Sequence, residues 1–166
     1  MEQNEFIQNI RKQWLAVKAG AAMECEAKNL PNLAKAYREC AMFRGDETVQ
    51  QLAELMKSAK GSEFCLKYNF PNIASLRFFK PQNPARYGVY IDGGSVKLKN
   101  PEQGTILLAG RIAATIDIDD NSKRYEIILM HGAKAVINAR HWSVVSVKTG
   151  QGCIAVRNAT ENAIIL

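Results

Sequence analysis

The spacing of the apolar positions changes near residue 81. Before it they recur every three to four residues, as Phe6, Ile10 and Trp14 do, which is the spacing of one helix face. The pattern predicts five helices, at about 5–28, 31–44 and 46–60 and in two shorter stretches that begin at Ser62 and at Pro71. We expect a helical layer over residues 1–80.

Residues that stop or cap helices set the expected boundaries. Gly45 is expected to end the second helix, and Asp46 to cap the third. Gly61 is expected to follow the end of the third helix. Pro81-Gln82-Asn83-Pro84 cannot continue a helix, because proline lacks the backbone N–H, so we place a linker at 81–86.

After the linker the apolar positions alternate, as Ile112, Ala114 and Ile116 do, which predicts strands. Polar residues end these runs at intervals of 20, 18 and 20, at Asn100, Asp120, Asn138 and Asn158. A glycine falls near the middle of each repeat, at Gly94, Gly110, Gly132 and Gly150. The repeat predicts a parallel β-solenoid of about four rungs over 87–166, with three short strands per rung.

The predicted fold class is therefore α+β, with a helical layer packed on a short β-solenoid. An antiparallel β-sandwich or jelly roll remains an alternative for the second half, since hairpins produce the same alternation. In the solenoid, this alignment places Ile116 opposite Lys134 and Val136 opposite Val156. The apolar run Ala163–Leu166 begins a rung that needs a cover, from the helices or from a second subunit.

The formal charge is +6, from 22 basic and 16 acidic residues, and one basic cluster stands out. It is interleaved with aromatic residues such as Phe64 and Tyr68, and comprises Lys57, Lys60, Lys67, Arg77, Lys80 and Arg86. Such a mixture can neutralise phosphates and stack on bases, which suggests binding of nucleic acid or a nucleotide. The ordinary alternative is a solvated surface around core aromatics.

Other chemistry is sparse. His131, His141 and Glu126 are the candidates for acid/base catalysis, and Asp117, Asp119 and Asp120 are the candidates for a metal site. Corner and surface turns are the simpler explanation of both sets. No cofactor motif is present, and the four cysteines, which form no CxxC pair, are expected to be free thiols in core positions.

No stretch of about 18 apolar residues is present, so we expect a cytoplasmic protein with no membrane association. The segments GSEFCLKYNFP, YGVYIDGGSVKLKNP and RYEIILMHGAKAVINA resemble small uncharacterised proteins of gut bacteria and their phages or mobile elements. The rung pattern is similar in architecture to short parallel β-helices such as bactofilins, which are polymerising scaffolds. The helical half departs from that family.

These observations favour a non-enzymatic binding or assembly module, a homo-oligomer that acts through contacts with a protein partner. A nucleic-acid or nucleotide binder that uses the basic cluster is the second hypothesis. A small hydrolase or lyase built on the two histidines and Glu126 is the third.

Overall fold

The computed structural model describes residues 2–166, which form a helical layer followed by a β-solenoid. Within these residues there are five α-helices: α1 Gln3–Ala27, α2 Pro31–Glu39, α3 Val49–Lys57, α4 Ala59–Tyr68 and α5 Ile73–Arg77. Two short 3-10 turns, Lys80–Gln82 and Pro84–Tyr87, occupy the proline-containing segment. None of the described helices combines the length and the apolar character that a membrane crossing requires.

The second helix is five residues shorter than predicted, because the chain leaves it for a loop that Glu47 organises. The buried Glu47 carboxylate accepts hydrogen bonds from the backbone N–H groups of Arg44 and Gly45, at 2.6 and 2.8 Å. These bonds fix an extended connection instead of a further helical turn. The third helix is capped by Thr48, whose hydroxyl accepts from the Gln51 N–H, and not by Asp46 as predicted.

The boundary between α3 and α4 lies at Ser58, and not at Gly61 as the sequence suggests. Ser58 is extended, and its hydroxyl accepts a hydrogen bond from the Gly61 N–H and so caps α4. Gly61 lies inside α4. A Cβ atom there would be 1.7 Å from the Leu55 carbonyl oxygen, so the glycine allows the two helices to meet closely.

The solenoid has two strands per rung, and not the three that were predicted. One sheet, which we call sheet A, has the order β1-β3-β5-β7-β9 and the other, sheet B, has the order β2-β4-β6-β8. The strands are β1 Val89–Ile91, β2 Gly94–Lys99, β3 Thr105–Ala109, β4 Ile112–Ile118, β5 Arg124–Met130, β6 Lys134–Ala139, β7 Val144–Thr149, β8 Ile154–Ala159 and β9 Ile164–Ile165. Every strand pair is parallel, which excludes the antiparallel sandwich.

The predicted register is right in the last rungs and wrong in the earlier ones. Val136 lies opposite Val156, as predicted, but Ile116 lies opposite Ile137 and not opposite Lys134. The cause is that the rungs differ in length: paired residues are 18 apart from β2 to β4, 21 apart from β4 to β6 and 20 apart from β6 to β8. The polar residues that end the strands therefore do not keep a constant spacing.

Sheet A carries an apolar core on each of its two faces. Its inward side chains, such as Ile127 and Leu129, pack inside the solenoid against Ile116 and Ile137 of sheet B. Its outward side chains join the helical layer in a second core, which comprises Val89, Ile91, Leu107, Ala109, Ile128 and Met130 on the sheet side. The helices therefore cover the outer face of sheet A and leave that of sheet B to solvent.

Candidate functional site

The six residues of the predicted basic cluster lie in separate surroundings. Lys57 is buried and contacts the Glu54 carboxylate at 3.4 Å. Arg86 stacks over the ring of Tyr87, with 4.7 Å from its guanidinium carbon to the ring centroid. Lys57 is thus withdrawn from the surface, whereas Arg86 stays exposed and contacts the ring next to it in the chain.

Arg77 and Lys80 both contact Asp92, a residue that the sequence analysis missed. The Asp92 carboxylate accepts hydrogen bonds from Arg77 at 3.0 and 3.3 Å, from Lys80 at 3.4 Å and from the Arg111 backbone N–H at 3.0 Å. The bond from Arg77 is the main reason that the pKa of Asp92 falls to about 2. These contacts connect α5 to the first corner of the solenoid, between β1 and β2. Its only signal in the sequence is an acidic residue placed before Gly93.

The other two cations, Lys60 and Lys67, line a cleft in the helical layer. The cleft has a volume of about 780 Å³ and lies among α1, α2, α3, α4 and the loop after α2. Its walls carry the aromatic rings of Trp14, Tyr37 and Phe64. Sequence spacing gives no sign of this cleft, because its walls come from helices that are distant along the chain.

The structure does not bring the candidate catalytic residues together. His131 lies in the corner between β5 and β6, whereas His141 lies in the corner between β6 and β7, so the strand β6 separates them. His131 Nε2 is 2.7 Å from the Pro71 carbonyl oxygen, and burial lowers the pKa of this imidazole. His141 Nδ1 is 2.8 Å from Glu161, and Glu126 lies 3.3 Å from Lys148.

The three candidate metal-binding aspartates are each engaged within the solenoid. Asp117 accepts a hydrogen bond from the Asn138 side chain at 2.8 Å, and Asn138 accepts one from Asn158 at 2.9 Å, which makes a polar ladder across three rungs of sheet B. Asp119 exchanges hydrogen bonds with Asn100. These contacts hold successive rungs in register.

Asp120 accepts hydrogen bonds from Ser122 and from the buried Tyr125 hydroxyl, each at 2.8 Å. The Ser122 bonds lower the pKa of Asp120 to about 2, and burial raises the pKa of Tyr125 to about 12. Among residues 2–166, no group of three or more His, Cys, Asp or Glu side chains is arranged to hold a metal ion. The four cysteines are free, and two of them, Cys25 and Cys65, are buried.

The C-terminal rung, formed by β8 and β9, has an outer edge that is open within residues 2–166. On the side of β8 that faces β6, the N–H groups of Ile154 and Thr160 donate to the carbonyl oxygens of Ala133 and Ala139, at 3.2 and 3.0 Å. Because successive residues of a strand bond on opposite sides, the N–H groups of Ala155, Arg157 and Ala159 point to the outer edge. Within residues 2–166 no strand pairs with that edge, nor with the outer edge of β9.

Apolar side chains surround this open edge. Four of them are between 46% and 62% exposed: Ile154, Val156, Ile164 and Leu166. Arg157 is also there, opposite Ile137 in register, and it makes no ion pair with any residue of the described chain. The helices lie on the outer face of sheet A and do not cover this end.

Comparison of the chain with protein-family models, with curated proteins and with solved structures finds no match in any of the three.

Proposed function

We propose that this chain is a non-enzymatic assembly module, in which two copies pair through the open C-terminal rung. The observation that carries the proposal is that β8 and β9 combine unpaired edge amides with a surround of exposed apolar side chains. Unpaired strand edges readily pair with a further strand, and exposed apolar surface gains free energy when it is covered. A second copy of the same rung supplies both a strand to pair with the edge and an apolar surface to cover the exposed side chains.

A closed pair is favoured over an open stack because the two ends of the solenoid differ. Residues 84–87 pack on β1 at the first rung, and the edge strand β2 carries the exposed Lys97 and Lys99. Lysines on an edge strand oppose pairing with another strand. The C-terminal end of one copy therefore fits a second C-terminal end better than it fits the N-terminal end. This arrangement is isologous and closes as a dimer.

The test is native mass spectrometry together with light scattering during gel filtration, at micromolar protein. We expect a dimer. Val156→Lys should weaken it by about a hundredfold, since each copy loses the burial of a valine and gains a charge next to its symmetry mate. Val136→Lys is the matched control, because Val136 lies opposite Val156 one rung further from the end. A circular-dichroism melt shows that both variants fold.

A monomer of the unmodified protein at micromolar concentration would refute the proposal. Equal dissociation of the Val136→Lys and Val156→Lys proteins would also count against it, because the contact would then involve the outer face of sheet B and not the open end.

A further inference from the structure

The cleft in the helical layer has an apolar interior and a basic rim. Its apolar wall comes from four helices and the loop after α2, with Trp14, Leu33, Tyr37, Met42, Leu55 and Phe64 among its members. Lys18, Lys60 and Lys67 also line it, against a single acidic residue, Glu63. The local charge is therefore positive. Its volume, about 780 Å³, lies within the range of small-molecule sites.

None of the three lysines has a carboxylate partner in the described chain. Lys18 donates to the backbone carbonyls of Arg38 and Cys40 at 3.0 and 2.7 Å, so its hydrogen bonds are partly committed. Lys60 makes no hydrogen bond or ion pair through its side chain with residues 2–166. Lys67 Nζ donates to the Tyr37 hydroxyl at 3.1 Å and lies over the Tyr68 ring, 5.3 Å from its centroid. Lys60 and Lys67 thus form no ion pair with a carboxylate among residues 2–166.

The tyrosine pair beside Lys67 adds a surplus donor. The Tyr68 hydroxyl donates a hydrogen bond to the Tyr37 hydroxyl oxygen, 2.8 Å away. The Tyr37 oxygen also accepts from Lys67, and the Tyr37 hydroxyl proton has no acceptor among residues 2–166. The ammonium and this hydroxyl together form a set of donors that lacks an acceptor. An anion is the group that such a set accommodates.

A second unpaired donor belongs to the cleft wall itself. The Trp14 side chain is 2% exposed, and its indole N–H has no hydrogen-bond partner in the described chain. A buried polar group without a partner is rare in folded proteins. Trp14, Tyr37 and Lys67 belong to three different helices, so it is the packing of these helices that brings the three residues to one cleft.

We propose that this cleft binds a small amphipathic anion, with an apolar or aromatic body against the aromatic wall and a carboxylate or phosphate near Lys60 and Lys67. This site is separate from the C-terminal rung, and it does not depend on the proposed dimer. Only two residues of the predicted basic cluster contribute to it, together with Tyr37 and Trp14, which lie outside that cluster.

The assay uses Trp14 as the reporter. Trp142 is 67% exposed in a corner of the solenoid, so Trp142→Phe leaves Trp14 as the only tryptophan, in the wall of the cleft. The probes are 4-phenylbutanoate, phenyl phosphate and the neutral amide 4-phenylbutanamide. We expect saturable changes in Trp14 emission with at least one of the two anions, and binding of the amide weaker by about tenfold or more. The two anions distinguish a carboxylate from a phosphate ligand.

Lys67→Gln in the same background should weaken anion binding by about tenfold and leave the amide unaffected. Lys12→Gln is the matched control, since Lys12 is an exposed residue of α1 that does not line the cleft and carries the same charge. Three results would overturn the proposal: no saturable binding of either anion, equal binding of the anion and the amide, or equal losses in the Lys67→Gln and Lys12→Gln proteins. Thermal melts of each variant exclude unfolding as the cause.

Discussion

Ile128→Ala tests whether the helices and the solenoid share one core. Ile128 is fully buried on the outward face of sheet A, in the cluster that contains Leu52 and Met56 of α3. Removing a buried isoleucine side chain to Cβ costs about 2–5 kcal/mol, from lost burial and the cavity that remains. We therefore expect a loss of about 3 kcal/mol in the free energy of unfolding. For a chain of this size that corresponds to a fall of roughly 6–12 °C in Tm.

The matched control is Val136→Ala, which truncates an aliphatic side chain on the outer face of sheet B, where no helix packs. Val136 is 37% exposed, so its truncation should cost less than about 1 kcal/mol. Urea unfolding followed by far-UV circular dichroism measures both values. With Trp142→Phe as the background, Trp14 emission follows the helical layer separately. We expect the two signals to change at the same urea concentration, because sheet A belongs to both cores.

Two outcomes would refute this account. If Ile128→Ala costs no more than Val136→Ala, the helices do not pack on sheet A in solution as they do in the structure. If the Trp14 signal changes at a lower urea concentration than the circular dichroism does, the helical layer and the solenoid unfold as separate units, and the outward core contributes little to their coupling.

Three further predictions concern single residues. Gly61→Ala should destabilise the protein by more than about 3 kcal/mol in a urea melt, since the new Cβ would overlap the Leu55 carbonyl oxygen. A gain of about 0.5–1 kcal/mol, which Gly→Ala usually gives inside a helix, would contradict the close approach. The Asp92 carboxylate has its pKa lowered from 3.8 to about 2, so its stabilisation is complete above pH 4 and lost as the pH falls towards 2. Asp92→Asn should therefore reduce this acid sensitivity, by about 1 kcal/mol after solvent screening, and an unchanged profile of stability against pH would argue against the Arg77 contact. Arg157→Leu should strengthen self-association measured by sedimentation, because a charge at an interior register position on an edge strand opposes pairing; no change would mean that this strand is not part of the contact.

The spacing of the apolar residues and the repeat of 18 to 20 residues predicted a helical layer and a β-solenoid, but only the parallel strand pairing excluded an antiparallel sandwich. Periodicity is a local property, and Phe6, Ile10 and Trp14 are buried as their helical spacing indicates. Periodicity did not determine the exact register of the strands. A shift of two or three residues at a corner leaves the alternation within each strand intact, so the spacing that paired Val136 correctly with Val156 misplaced Ile116.

The functional surfaces depended on packing between distant segments. By itself the sequence determined that cations and aromatics are concentrated between residues 57 and 86, because local composition does not depend on which segments pack together. Only the tertiary structure decided that Arg77 contacts Asp92 while Lys67 faces a cleft beside Tyr37, which is 30 residues away in the chain. The choice of ion-pair and hydrogen-bond partners follows from which helix faces bury their apolar stripes against each other. The same packing places the helices on the outer face of sheet A.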